Sequence, residues 1–274
     1  MEAGTLLLSG SNSFTTGITV AGGTLALRNA NAAGGAAGDV WRDLEGVWGS
    51  RFADRLTGDD AANLLRGDAG ADTLSGAGGD DTLEGGAGLD WAYYEGRAAV
   101  RINLSLTGVQ DTGGRGRDLL RDIENLLSGW GDDTLAGSEA ANQLWSGEGN
   151  DRLSGGGGND TLQGGLGNDV LSGGSGFDVA LYRGSAAVRV DLALGGAQAT
   201  GQGRDRLDGI EALHSGTASD WLAGTTGANR LLAFAGNDTL LGRAGKDTLQ
   251  GGAGNDWLNG GSSDDRLVGG AGRD

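Results

Sequence analysis

The chain has 274 residues, of which 59 are glycine and none is proline or cysteine, and its formal net charge is −17. The absence of cysteine excludes disulfides and thiolate metal sites, and the negative charge disfavours nucleic acid as a partner. No apolar run approaches the roughly 18 residues that a membrane span needs. The composition describes an acidic, glycine-rich chain whose carboxylates repel one another unless a cation binds.

The N-terminal segment alternates threonine, leucine and valine with glycine turns over residues 4–28, GTLLLSGSNSFTTGITVAGGTLALR. This alternation predicts short β-strands. The segment resembles one copy of the strand repeat of autotransporter passenger β-helices, and the plainer interpretation is a β-rich cap or connector. Residues 29–38 have the composition of a linker.

A nine-residue pattern, G-G-x-G-x-D-x-L-x, then runs in three blocks of constant register, most clearly between Gly155 and Ser172. Over 17 complete frames, position six is Asp in 14 and Asn in three, and position eight is Leu in 15. A flexible Gly/Asp-rich linker has no reason to place leucine at every ninth residue. The pattern therefore predicts short strands whose leucines stack into one apolar core.

Two spacers separate the blocks, and each contains a run of alternating apolar residues, at 100–106 and at 188–194. Period-two alternation predicts half-buried strands. Because the last repeat stops part-way at Asp274, we expect the chain to be part of a longer protein. We expect the following segments: a β-rich cap and linker at 1–38, block one at 39–93, a β spacer at 94–127, block two at 128–181, a β spacer at 182–214, and a truncated block three at 215–274.

The chemistry of the repeat suits Ca²⁺, which takes six to eight oxygen ligands from carboxylates and backbone carbonyls. Glycines at positions one, two and four permit the positive φ angles of a loop that turns its carbonyls inward. Aspartate at position six has a short stem, so its oxygens stay close to the backbone. The sequence therefore predicts a calcium-binding loop in each full repeat.

These residues resemble the calcium-binding nonapeptide repeat of RTX (hemolysin-type) proteins. The resemblance implies an all-β fold, a right-handed parallel β-roll (a β-solenoid) with β-strand spacers, in which two repeats make one turn and ions lie between successive loops. Transferred by position, the carboxylate ligands are Asp72, Asp81, Asp90, Asp151, Asp160, Asp169, Asp178, Asp238, Asp247, Asp256 and Asp265.

The first two frames of each block depart from the pattern. Asp54, Asp133 and Asp220 hold position six in opening frames whose loops lack several glycines, so they are weaker candidates. The second frames carry asparagine, which brings no charge, and we expect those loops to bind Ca²⁺ weakly or not at all. If two aspartates share each ion, the 14 aspartates predict roughly seven Ca²⁺ ions, which offset most of the net charge.

The predicted function is calcium binding that drives folding outside the cell, in a region of a secreted bacterial RTX protein exported by type I secretion. One alternative is an adhesin or surface-layer solenoid. Another is an accessory module of a secreted hydrolase, lyase or polysaccharide epimerase whose catalytic domain lies outside this chain.

No catalytic arrangement accompanies the single histidine, His214, so the chain itself is not expected to be an enzyme. Trp91 and Trp257 at position seven, and Trp145 at position nine, suit packing against neighbouring loops. Contacts with a polysaccharide or a cell surface are the alternative for these tryptophans.

Overall fold

The computed structural model describes residues 45–274 together with two strands at residues 5–8 and 24–27. All regular secondary structure in these residues is β-strand. The chain divides into two compact units, Met1–Gly131 and Asp132–Asp274. Most of the predicted cap and the whole of the predicted linker lie outside the described residues, and the division into six segments stays a prediction.

Unit one has short strands, mostly of three or six residues, separated by tight turns. They are β1 (Thr5–Leu8), β2 (Thr24–Leu27), β3 (Gly46–Trp48), β4 (Arg55–Thr57), β5 (Leu64–Ala69), β6 (Thr73–Ser75), β7 (Thr82–Ala87), β8 (Trp91–Tyr93), β9 (Arg101–Asn103), β10 (Gln110–Asp111), β11 (Arg117–Arg121) and β12 (Asn125–Leu127).

Alternate strands of unit one stack in parallel on two faces. One face has the order β4-β6-β8-β12, and the other has the order β1-β2-β3-β5-β7-β11-β10. Leu56 pairs with Leu74, and Leu65 pairs with Leu83, so equivalent residues of successive turns are 18 positions apart. Two nonapeptides therefore make one turn, and the predicted all-β parallel β-roll is confirmed.

Unit two is built in the same way. Its strands are β13 (Thr134–Ala136), β14 (Gln143–Trp145), β15 (Arg152–Gly157), β16 (Thr161–Gln163), β17 (Val170–Ser175), β18 (Val179–Leu181), β19 (Arg189–Asp191), β20 (Gln198–Ala199), β21 (Arg204–Asp208), β22 (Ala212–His214), β23 (Trp221–Ala223), β24 (Arg230–Leu232), β25 (Thr239–Leu241), β26 (Thr248–Ala253), β27 (Trp257–Asn259) and β28 (Arg266–Ala271).

The core consists mainly of the position-eight side chains, which point inward from the strands in every frame but the last two, where Leu258 is half-buried and Leu267 is 46% exposed. Leu65, Leu83, Leu162, Leu171 and Leu240 are all within 1% of complete burial. Each such leucine contributes about 1.5–3 kcal/mol of hydrophobic free energy relative to an exposed one. The predicted leucine stack is therefore confirmed, and it is the element that fixes the register of the turns.

At the spacer of unit two, one of the two stacked sheets ends and a new sheet begins. Before the spacer, the turns alternate between β13-β15-β17 and β14-β16-β18. The second face continues without a break into β22-β24-β26-β28. The first face instead ends at β21 and the antiparallel β20, while β19 starts a third face of order β19-β23-β25-β27. Unit one shows the same ending, with β11 and the antiparallel β10 after β7.

The alternating spacer strands are shorter than predicted. Val100 and Ile102 are buried, but β9 ends at Asn103, and Leu106 is 47% exposed. The Asn103 side chain accepts a hydrogen bond from the Ser105 backbone at 2.8 Å and turns the chain away from the strand. Asp191 makes the same turn through Ala193, at 3.0 Å. The second half of each predicted strand is therefore a turn, although its apolar residues continue the alternation.

Candidate metal site

The position-six side chains form ladders along the edges of the turns. The backbone N–H of every position-six residue except Asp265 donates a hydrogen bond to a carboxylate oxygen of the equivalent residue in the next turn, at 2.7–3.1 Å. A carboxylate is thereby fixed by the backbone of the turn before it. We call each such row a carboxylate ladder.

The ladders bring together all of the aspartates that the sequence proposed. In unit one they are Asp54–Asp72–Asp90–Glu124 and Asn63–Asp81–Asp118. In unit two they are Asp133–Asp151–Asp169–Asp205, Asn142–Asp160–Asp178–Glu211, Asp220–Asp238–Asp256–Asp274 and Asn229–Asp247–Asp265.

Several ladder members were missed by the sequence reasoning. Asp118 and Asp205 close two ladders, Glu124 and Glu211 close two others, and Asp274 accepts the N–H of Asp256. The signal was available, because each spacer carboxylate precedes an inward-facing leucine by two residues, as position six precedes position eight.

The second carboxylate oxygen, Oδ2, is the unusual atom of the full repeats. It is buried and has no hydrogen-bond partner in Asp72, Asp90, Asp160, Asp169, Asp178, Asp238, Asp247 and Asp256, and the same holds for Asp220 of an opening frame. Burying a charged oxygen without a partner is unfavourable by several kcal/mol. These loops therefore need either a proton or a cation.

Position-one glycine provides the space beside this oxygen. A Cβ on Gly155 would lie 2.5 Å from the carbonyl oxygen of Gly173 and would also collide with Oδ2 of Asp160. Gly67 and Gly242 have equivalent surroundings. A carboxylate oxygen and a carbonyl oxygen thus face the same small space, with no donor between them, which is the donor set that Ca²⁺ prefers.

The other two glycines have a different role, and the sequence expectation is corrected on this point. Positive φ angles occur at positions two and four, as at Gly156 (105°) and Gly158 (92°). Position one has no positive φ, as at Gly155. Glycine is required there because a side chain would fill the space beside the carboxylate.

The ladders raise the pKa of their carboxyl groups. Burial raises the pKa of Asp160 to about 6, with repulsion from Asp178 as a further cause. Burial raises the pKa of Asp169 to about 7, and repulsion from Asp205 and Asp151 adds to it. In unit one, burial raises the pKa of Asp81 to about 7. Stacked carboxylates therefore resist ionisation in a fold without a cation.

The asparagine frames are closed by their own loops. The Asn142 side-chain oxygen accepts hydrogen bonds from the Ser138 backbone N–H at 2.7 Å and from its hydroxyl at 3.2 Å. Asn229 does the same with Thr225, at 2.6 and 3.1 Å. Asp54 resembles them, because its Oδ2 accepts hydrogen bonds from Ser50 at 2.6 and 2.9 Å. Donors of the loop itself occupy these oxygens.

Backbone carbonyls are needed to complete any cation site. Within the described residues, no group of three or more His, Cys, Asp or Glu side chains converges on one point. Two carboxylates of a ladder and the carbonyls of the glycine loops remain as ligands. This composition fits Ca²⁺, which accepts carbonyl oxygens, and does not fit a zinc site.

The residues singled out elsewhere lie on the outer faces of the turns. His214, on β22, packs edge-on against Phe234 with ring centroids 6.4 Å apart, and burial lowers its pKa. Trp145 lies under the Arg183 guanidinium at 4.7 Å, whereas Trp257 is 55% exposed. Across the described part of the chain, no helix has the length and apolar character of a membrane span.

Parallel stacked turns with aspartate ladders define a calcium-binding β-solenoid as the class of protein. The chain belongs to the family of RTX calcium-binding nonapeptide repeats. The model of that family, which describes four copies of the repeat, matches residues 48–83, 57–92, 127–162, 145–180, 214–249 and 241–274. Among the curated proteins, no sequence matches the chain. The resemblance drawn from the nonapeptide is thus confirmed, and the chain is a calcium-binding, structural β-roll region.

Proposed function

We propose that the position-six aspartates of the full repeats are the carboxylate ligands of Ca²⁺, and that binding drives the folding of the β-roll. The observation that carries this proposal is the set of buried Oδ2 atoms without a partner. Several of them, as in Asp72, Asp160 and Asp247, face a carbonyl oxygen beside a position-one glycine. A bound Ca²⁺ ion supplies the positive charge that these oxygens lack. Asp133, Asp220 and Asp265 belong to the same ladders, and Asp54 is the weakest candidate because Ser50 already donates to it.

Folding and binding are coupled in this proposal. Without a cation, the ladders hold carboxylates about one strand spacing apart, roughly 4.8 Å, in a buried environment. When the unfolded chain has no preformed site, the free energy of metal binding becomes free energy of folding. The number of bound ions, roughly seven, stays a prediction. It assumes that the aspartates act in pairs, whereas most aspartates contact a neighbour in both the preceding and the following turn.

The first test is a calcium titration followed by far-UV circular dichroism and by the number of bound ions at saturation. Asp160→Asn keeps the size of the side chain and removes its charge, so we expect fewer bound ions and a higher calcium midpoint. Asp208→Asn is the matched control, because it removes the same charge from an exposed spacer side chain. A β-sheet spectrum that chelation leaves unchanged would contradict the proposal.

We also propose that the region acts outside the cell, in a protein exported by type I secretion. Extracellular calcium modules bind in the range of about 10⁻⁴–10⁻³ M, so the chain would remain unfolded in a low-calcium cytoplasm and fold after export. The titration midpoint tests this proposal. A midpoint below about 10⁻⁶ M would mean that the chain folds before export, and would argue against it.

A further inference from the structure

The spacer carboxylates Asp118 and Asp205 stand in the ladders without being part of a nonapeptide. Oδ1 of Asp118 accepts the N–H of Asp81 at 3.0 Å, and Oδ1 of Asp205 accepts the N–H of Asp169 at 3.0 Å. Leu207, two residues after Asp205, pairs with Leu171 of the preceding turn. By register, each is the last carboxylate of a row.

Their second oxygen meets hydroxyl groups. In unit one, Oδ2 of Asp118 accepts a hydrogen bond from the Tyr94 hydroxyl at 2.9 Å. The Thr112 hydroxyl lies 3.1 Å from the same Oδ2 and 2.9 Å from the Gly116 carbonyl oxygen, and its one proton is shared between these two acceptors. All three side chains are buried, and Thr112 has no exposed surface. Burial raises the pKa of Tyr94 well above its ordinary value, so its hydroxyl keeps the proton that it donates.

The second spacer repeats this arrangement, although its threonine is five residues before the aspartate and that of the first spacer is six residues before. Oδ2 of Asp205 accepts hydrogen bonds from the Tyr182 hydroxyl at 3.3 Å and the Thr200 hydroxyl at 2.5 Å. Thr200 also stands five residues before Asp205, where a full repeat has its position-one glycine. The space that lies beside Oδ2 in a repeat loop is therefore taken up by a donor.

The antiparallel strands complete these ends. β20 pairs with β21 and is the last strand of its face, and β10 has the same place beside β11. A terminal strand leaves backbone groups unpaired unless another segment covers it. Each threonine follows directly after its antiparallel strand, so one hairpin closes the sheet edge and supplies a hydroxyl to the last carboxylate.

We propose that Tyr94–Asp118–Thr112 and Tyr182–Asp205–Thr200, the spacer caps, are metal-independent ends of the calcium rows, in which two hydroxyl donors replace the ion at the last carboxylate. This inference rests on the proposed function, because it states which ladder carboxylates are not calcium ligands. The spacer caps therefore determine where the calcium row stops.

The test compares bound calcium in the full chain at saturation, measured by equilibrium dialysis and native mass spectrometry. Asp205→Asn retains an oxygen for the Asp169 N–H and removes the charge, and we expect the wild-type number of ions. Asp160→Asn, in the same unit, should bind fewer ions. Loss of ions in both variants would overturn the cap and leave the proposed function standing. An unchanged number in both would overturn the ligand assignment and the cap with it.

A second pair of variants keeps the test decisive if Asp205→Asn does not fold. Thr200→Val removes the hydroxyl, and Thr200→Ser retains it. We expect the valine variant to bind the wild-type number of ions and to lose about 2–8 °C in thermal midpoint in saturating calcium, with the serine variant closer to wild type. Equal midpoints for valine and serine, or a lower ion number for valine, would overturn the proposal.

Discussion

The carboxylates of the repeat loops and those of the spacers hold the same place in a ladder, yet they meet different partners. Asp160 accepts a backbone N–H with Oδ1 and buries Oδ2 without a partner beside Gly155. Asp205 accepts an equivalent N–H, but two hydroxyl groups donate to its Oδ2. The backbone ladder is thus a feature of the fold, and the surroundings of the second oxygen separate a cation site from a closed end.

The comparison also explains why aspartate alone is a poor predictor of a ligand. Asp54 and Asp205 both lie in ladders, and both have donors on Oδ2. Asp54 differs from Asp160 at position two, where Ser50 donates to its Oδ2. Asp205 differs at position one, where Thr200 stands in place of a glycine such as Gly155, which leaves the space open. A change of that glycine should therefore separate the two kinds of carboxylate most strongly.

The largest expected effect comes from filling the space beside a repeat carboxylate. In Gly155→Ala, the new methyl group collides with Oδ2 of Asp160 and with the Gly173 carbonyl. We expect the free energy of unfolding in saturating calcium to fall by about 1–3 kcal/mol, with fewer bound ions. Denaturant unfolding monitored by circular dichroism measures the first quantity, and equilibrium dialysis measures the second.

The matched control for this variant is Gly195→Ala. No atom lies within 4 Å of a Cβ at Gly195, which is in the spacer and has no positive φ. We expect this substitution to leave both stability and calcium binding close to the wild-type values. Equal effects of the two substitutions would show that the position-one space has no special role.

The next effect is a dependence on pH that reverses when calcium is added. Burial raises the pKa of Asp169 to about 7 and that of Asp160 to about 6 in the fold. Because these folded-state values lie above the unfolded value near 4, their contribution to stability is complete below about pH 4. It is lost as the pH rises through 6–7. The calcium-free roll should therefore be more stable at pH 5 than at pH 8.

Calcium binding should change in the opposite direction, because the ion competes with the proton for the same oxygens. We expect tighter binding at pH 8 than at pH 5, measured by titration in buffers freed of calcium beforehand. Asp160→Asn removes one titrating group and should flatten both profiles. If the calcium-free fold were more stable at pH 8 than at pH 5, the carboxylate ladders could not be the source of the pH dependence.

The sequence predicts the regular part of this molecule well, since the period of leucine at position eight determines both the strand centres and the 18-residue turn. It predicts the spacers less well. Leu106 and Leu194 continue the apolar alternation but lie on turns, because the side chains of Asn103 and Asp191 bend the backbone first. The apolar pattern of the sequence does not reveal such a turn when the alternation of apolar residues continues through it.

The closed ends could be predicted only in part. Asp205 and Leu207 have the spacing of positions six and eight, which the sequence contains. The contact of Tyr182 and Thr200 with Asp205 depends on the antiparallel β20 and on the change of face at the spacer. These residues are up to 23 positions apart, and no periodic pattern joins them.

The smallest predicted effect concerns a repeat loop whose backbone strain can be relieved. Ala77 occupies position two of its frame with a φ of 70°, a conformation that Gly86, Gly156 and Gly165 have at the same position in their frames. An L-residue there is unfavourable by about 1–2 kcal/mol, while glycine adds entropy to the unfolded chain. We expect Ala77→Gly to stabilise the calcium-bound fold by about 0.5–1 kcal/mol in denaturant unfolding. Ala87→Gly, at an exposed strand residue without a positive φ, should destabilise it by about 0.5–1 kcal/mol. Destabilisation by both substitutions would mean that the Ala77 loop is not strained, and that glycine at position two serves only the close stacking of turns.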